Sequence, residues 1–206
     1  MQRLQLDVIG VEVAAKRAAE VLRHGGIVLY PTDTIYGLGV DALNAKAVEK
    51  VRTLKGREKK KPISILVSDI ESISKYGVMN TSARALAGRF MPGPLTLVLP
   101  ATNDVPSEVT LHGTIGIRIP NNELCLAMTK FFNGPITTTS ANKSGRETPK
   151  TASAVLEQFG FSGDEIDLVI DGGERKSDKA STVVSCVGEA PAILREGVIS
   201  KGELGL

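Results

Sequence analysis

The densest charge in the chain is "KVRTLKGREKKK", residues 50–61, where seven of twelve positions are Lys or Arg. Cations at a helix end offset the partial negative charge of its last carbonyls, an effect of ~0.3–1 kcal/mol, and that reading suits Lys50, Lys59 and Lys60. Lys55, Gly56 and Arg57 invite another. Glycine lets the backbone approach a ligand, and two cations two residues apart grip a phosphate or an RNA backbone equally well. "PITTTSANKSG", residues 135–145, carries a strand into a loop of hydroxyls, an amide and a glycine. Such a loop suits an anion, while ordinary turn chemistry selects the same residue types. Arg118 interrupts the apolar run "IGIRIP", where a guanidinium either reaches solvent or takes a carboxylate partner. Arg195 in "ILREG" poses the same alternative. "YPTDTIYGLG", residues 30–39, crowds threonines, an aspartate and glycines at the end of an apolar strand.

Several familiar chemistries lack their motifs. There is no GxxxxGK(S/T), no GxGxxG after a strand, no GxSxG and no HExxH. Cys125 and Cys186 have no CxxC spacing and only His24 and His112 for company, so buried free thiols are expected rather than a disulfide framework or a zinc site. A formal net charge of +2 makes any basic footprint a local one. The longest apolar runs are strand-length and the start lacks an apolar h-region, so a cytoplasmic protein without a membrane span is expected.

The elements that must position these residues follow from periodicity. Residues 11–23 and 45–55 read as amphipathic helices, the second with Asn44 as N-cap and Gly56 as terminator. "GIVLY", "PISILVS", "PGPLTLVLP", "IGIRIP", "PITTTS", "DLVID", "STVVSC" and "AILRE" read as strands. "SDIESISKYG", capped by Ser68 with Glu71, "NTSARALAGRF", "NELCLAMTKFF" and "TASAVLEQFG" read as helices. The quoted stretch 30–39 then joins a strand to a helix. With 206 residues, this implies one α/β domain over 1–206, a twisted mixed parallel and antiparallel sheet with packed helices.

In chain order, "YPTDTIYGLG", "KGR", "PGPLTLVL", "GIRIP", "TTTSANKSG", "STVV" and "LREG" resemble the YrdC family of threonylcarbamoyl-AMP synthases. The KxR of Lys55 and Arg57 with the SxN of Ser140 and Asn142 is that family's signature pair. The resemblance implies a nucleotidyltransferase that makes threonylcarbamoyl-AMP and pyrophosphate from L-threonine, bicarbonate and ATP, with Mg2+ accompanying ATP. The product serves N6-threonylcarbamoyladenosine formation in tRNA through a threonylcarbamoyl transferase complex. It assigns Thr34, Arg118, Thr138 and Ser181 to threonine, whose carboxylate would be the partner of Arg118. It assigns Arg57, Ser140, Thr148 and Arg195 to ATP, and turns Lys55 and Asn142 toward phosphates or metal. The glycines and hydroxyls of 31–39 would form the floor under the amino acid. Two positions depart from the family. Lys61, at an ATP-binding position, replaces a common Asn, and Leu66 replaces a His used near threonine. The chain ends soon after "LREG", as in the compact form without a further C-terminal domain. A second reading is an RNA-binding YciO-type paralogue, with tRNA or double-stranded RNA on the basic cluster and little synthase activity. A third, a sugar-phosphate lyase, would need an acidic metal cluster, for which only "DGGE", residues 171–174, offers itself.

Overall fold

The computed structural model describes residues 1–58 and 61–206, so the reading of Lys59 and Lys60 lies outside the described residues. The chain opens with strand β1 (Gln2–Gln5), a helical turn α1 (Leu6–Ile9) and helix α2 (Val11–Arg23). Strands β2 (Val28–Pro31) and β3 (Tyr36–Gly39) precede α3 (Ala45–Lys55), β4 (Ser64–Leu66), α4 (Ile70–Tyr76), α5 (Thr81–Phe90) and β5 (Leu95–Pro100). Then come β6 (Thr114–Arg118), α6 (Glu123–Phe132), β7 (Ile136–Ser140), α7 (Ala152–Phe159), β8 (Leu168–Asp171), β9 (Thr182–Ser185), β10 (Ala192–Arg195) and α8 (Lys201–Leu204).

Among the described residues the strands form one ten-stranded sheet in the order β1-β8-β2-β3-β7-β4-β6-β5-β9-β10. β1, β8 and β2 run parallel, as do the pairs β4 with β6 and β5 with β9, whereas β2 with β3, β3 with β7, β7 with β4, β6 with β5 and β9 with β10 are antiparallel. The sheet is mixed, as the short connections in the sequence imply.

Helix limits follow local chemistry. The Asn44 side chain accepts from the Ala47 N–H, and Gly56 ends α3 in the left-handed conformation at φ 60°, where a side chain would be strained. Two expectations are corrected, and one strand was not foreseen. The cap of α4 is Asp69, whose carboxylate accepts from Ser72 N–H at 2.7 Å, rather than Ser68. The stretch 30–39 is a hairpin, because β3 returns antiparallel to β2 instead of leading directly to a helix. The polar edge strand β1 carries no apolar alternation and is held by its backbone pairing to β8.

Strand alternation divides the sheet into two faces. On one, Leu29, Leu38, Ile65, Leu97, Ile115 and Ile117 pack with Val48 and Val51 of α3, Leu86 of α5 and Val155 of α7. On the other, only part is covered. Ala14, Ala15, Ala18 and Leu22 of α2 with Leu124, Cys125 and Met128 of α6 close over Val28, Tyr30, Leu66, Ile136, Leu168 and Ile170. The alanines let the two helices lie close, and each large side chain buried there contributes ~1.5–3 kcal/mol. Beyond this helix pair the same face presents Ser64, Thr96, Gly116, Arg118 and Thr138 to an open cleft.

Candidate active site

Along β6, Thr114, Gly116 and Arg118 alternate with buried Ile115 and Ile117, so the core side fixes the strand and the even positions face the cleft. The cleft encloses a cavity of about 250 Å3. Gly116 lies on its floor, where an added Cβ would stand 2.4 Å from Ser64 Oγ. Cavity-lining residues come from the β2–β3 loop (Thr32, Thr34), the exit of α3 (Arg57), β4 (Ser64), β5 (Thr96), β6 (Arg118), β7 (Thr138, Ser140), the entry to β9 (Ser181) and β10 (Arg195).

In the β2–β3 loop, Thr32 builds the turn and Thr34 faces the site. Thr32 Oγ1 donates to Ile35 O at 2.7 Å and accepts from Thr34 N at 3.0 Å. Thr34 Oγ1 accepts from Arg118 Nη1 at 3.3 Å. Of the stretch expected to form a floor, Thr32, Thr34, Ile35, Tyr36 and Gly37 line the cavity, and Gly39 does not. An added Cβ at Gly39 would meet Ile136, the Tyr30 ring and Thr137 O at 2.8–2.9 Å, and at Gly37 it would meet Tyr30 at 3.3 Å. Both glycines make room for a buried tyrosine.

Arg118 already has a carboxylate, which corrects the expectation that only a ligand would supply one. Its Nη2 donates to Asp33 Oδ1 at 2.5 Å and its Nε to Gly93 O at 3.0 Å. The pair is nearly dry, with side chains 5% and 12% exposed. Asp33 is further held by the Asn121 N–H at 3.2 Å. Its sequence signal was present inside "PTDT", 85 positions from its partner. A guanidinium has five N–H donors, so Arg118 keeps two for a ligand.

The other cations of the cavity have no such partner among the described residues. Arg57 Nη2 donates to Pro62 O at 2.8 Å, and its buried Nε meets no acceptor among the described residues. Arg195 Nη2 donates to Ser181 O at 2.8 Å. Burial first, then Arg52 and Arg195, pull the Arg57 guanidinium below its ordinary value, and partial burial followed by Arg118 does the same to Arg195. Arginine stays charged regardless. Three guanidiniums thus face one space against a single carboxylate set behind Arg118. An anion relieves that excess.

Lys55 and the SxN loop meet, but beneath the cavity. The lysine is 2% exposed. Its ammonium donates to Asn142 O at 2.7 Å, Asn142 Oδ1 at 3.1 Å and Ser140 O, while its own carbonyl accepts from Ser144 N–H at 2.8 Å. Asn142 Oδ1 also accepts from Ser140 Oγ at 2.5 Å, and its amide donates to Arg146 O. Burial, with Arg57 second, draws Lys55 down to about 7, and the three oxygen acceptors favour its charged form. Lys55 and Asn142 therefore fasten α3 to the loop after β7, while Ser140 and Arg57 reach the cavity.

Thr148 lies in a neighbouring surface cleft with Lys150 and Asp178, and Lys61 pairs outward with Glu58 at 3.3 Å. Neither lines the cavity. Leu66 is 1% exposed under α6 beside Leu124 and Cys125, packed as core. Both cysteines are buried and free. Asp171 of "DGGE" is engaged by Arg3 at 2.6 Å and by the Tyr36 hydroxyl at 3.3 Å. Among the described residues no cluster of three or more His, Cys, Asp or Glu side chains could hold a metal, and no helix is long and apolar enough to cross a membrane.

A mixed sheet with one face half bare, and that half lined by arginines, hydroxyls and a glycine, defines an α/β protein with a basic, polar cleft. Comparison with known proteins narrows the class. The family model described as "Telomere recombination", that of Sua5, YciO and YrdC, matches residues 20–197, and the chain belongs to this family. The threonylcarbamoyl-AMP synthase of Pyrococcus abyssi is 37% identical over 189 residues, 91% of this chain and 55% of that protein. A Methanocaldococcus jannaschii relative is 38% identical over 192 residues and is spanned to 89% of its length. The chain thus spans about half of one of these relatives and nearly all of the other. The crystal structure of P. abyssi Sua5 complexed with L-threonine superposes with a TM-score of 0.90 at 35% identity, covering 98% of this chain and 59% of that one. Escherichia coli YciO superposes with a TM-score of 0.87 at 26% identity, covering 98% of each chain.

Proposed function

We propose that the protein is a threonylcarbamoyl-AMP synthase that uses L-threonine, bicarbonate and ATP. The observation that carries the reading is the convergence of Arg57, Arg118 and Arg195 with Thr34, Thr138, Ser140 and Ser181 on one cavity in this family's fold. The synthase name of the P. abyssi relative and the threonine bound by P. abyssi Sua5 support it over the RNA-binding reading.

The site can be divided by chemistry. The two free N–H groups of Arg118 take the threonine carboxylate, with Thr34 and Ser181 within reach of its polar atoms. Arg57 and Arg195, with no carboxylate partner among the described residues, take the phosphates. Bicarbonate takes up a proton and loses water to give CO2, the neutral amine of threonine captures CO2 as a carbamate and releases a proton, a carbamate oxygen attacks the α-phosphorus, and pyrophosphate leaves. No protein nucleophile is needed. Holding the substrates together in one cleft and neutralising the phosphate charge supply the catalysis. The cavity offers hydroxyls and cations, so Mg2+ enters as the ATP complex with phosphate oxygens as ligands. In the cytoplasm the product passes to a threonylcarbamoyl transferase complex for tRNA.

Pyrophosphate release from MgATP tests this reading, with threonine, bicarbonate or both omitted and serine as control. Release that requires both co-substrates is the expected result. Release without threonine, or none from protein that binds ATP, overturns it.

A further inference from the structure

Arg52 lies on α3, one turn before Lys55, and is 4% exposed. It does not line the cavity, and none of the ion pairs among the described residues includes it. Its guanidinium is spent on backbone carbonyls. Nη1 donates to Glu58 O at 3.1 Å and Lys61 O at 2.8 Å, and Nη2 donates to Glu108 O at 2.5 Å. A buried charge with no carboxylate in ion-pair contact, Glu49 and Glu108 acting on it only from farther off, is costly, so its geometry must repay the cost.

That geometry converges on one side of the site. Glu58 and Lys61 bracket the stretch between Arg57 and Pro62, two residues that line the cavity. Arg57 Nη2 closes on Pro62 O at 2.8 Å, and the Arg57 N–H donates to Arg52 O at 2.9 Å. One planar group thus holds the carbonyls of Glu58 and Lys61, the neighbours of Arg57 and Pro62, and ties them to Glu108. A lysine is a poor substitute, because its donors spread from one point whereas the planar fork presents two separate nitrogens to these acceptors. An apolar residue would leave three part-buried carbonyls without this donor.

We propose that Arg52 is a positioning residue that sets Arg57 for the nucleotide phosphates. The proposal rests on the synthase reading for the identity of the ligand. Its test is the dissociation constant of ATP and, separately, of threonine, measured by calorimetry for wild type, Arg52→Lys and Arg52→Ala, with thermal melts as the check on folding. ATP binding weakens about tenfold in both variants, equivalent to ~1.4 kcal/mol. Threonine binding stays within about twofold, well under ~1 kcal/mol. Millimolar guanidinium ion restores ATP binding to Arg52→Ala by refilling the vacated fork. An unchanged ATP constant in either folded variant, equal loss of both ligands, or unfolding of both variants overturns the positioning role. Wild type that binds ATP without turnover overturns the synthase reading while the ATP constants still decide the role of Arg52. Wild type that binds no ATP overturns both.

Discussion

Replacing Arg118 by methionine keeps much of the side-chain bulk but withdraws donors from three acceptors at once. These are Asp33 Oδ1 at 2.5 Å, Gly93 O at 3.0 Å and Thr34 Oγ1 at 3.3 Å. Asp33 is left with the Asn121 N–H alone, its side chain 12% exposed. Stripping one partner from a buried ion pair costs ~3–5 kcal/mol, and the residual hydration of Asp33 points to the lower end. For a chain of this length ~3 kcal/mol lowers Tm by ~6–12 °C. Asp33→Asn added to Arg118→Met removes the stranded charge, so the double variant should recover ~1 kcal/mol or more relative to Arg118→Met. Urea denaturation of wild type, both single variants and the double variant closes the cycle. Threonine affinity, measured by calorimetry, should fall in both proteins that lack Arg118 and not recover in the double variant. A coupling energy under ~0.5 kcal/mol, the range of independent sites, would refute the argument that Asp33 and Arg118 stabilise the fold as a unit.

Three further outcomes are expected. Lys55 is held at about 7 in the fold against an ordinary 10.5, so between those values the unfolded chain binds more protons and stability rises with pH. Urea denaturation across that range should show this rise in wild type and not in Lys55→Met, and parallel curves would contradict it. Gly116→Val fills the floor between Ser64 and Thr96 and should weaken ligand binding by about tenfold, ~1.4 kcal/mol, with an unchanged far-UV circular dichroism spectrum. Full affinity would exclude that floor from the site. Arg57→Gln should raise the ATP dissociation constant about tenfold with threonine binding within about twofold, and equal losses would reject the division of the site.

Local chemistry made much of the fold legible. α2 occupies the residues its apolar spacing defines, and Asn44 and Gly56 bound α3 because a cap and a left-handed terminus are decided within a few residues. β3 was missed because two of its four residues are glycines, which signal turns in sequence. Its reason is tertiary, the Tyr30 ring that needs the space. The cap of α4 moved by one position because Ser68 and Asp69 are both competent. In the site, the signature residues were readable as types, but their division into cavity wall and underlying fastening was not. Lys55 looks like a ligand-facing cation until its three oxygen acceptors are placed. The partner of Arg118 was hidden for a similar reason. An ion pair across 85 positions leaves no periodicity, only an aspartate among threonines.

The bare half of the sheet has a consequence for how this protein tolerates change. Along β5 and β6 the odd residues Leu95, Leu97, Ile115 and Ile117 are fully buried, while Thr96, Val98, Gly116 and Arg118 border the cavity. A substitution at an even position edits the ligand surface and leaves the neighbouring packing in place. A slip of register by one residue would do the opposite, exposing isoleucines in the cleft and driving a guanidinium into the core. Two kinds of information are written on one strand in alternating letters. The chemistry of this cleft can drift, one stride of two residues at a time, on a scaffold that cannot.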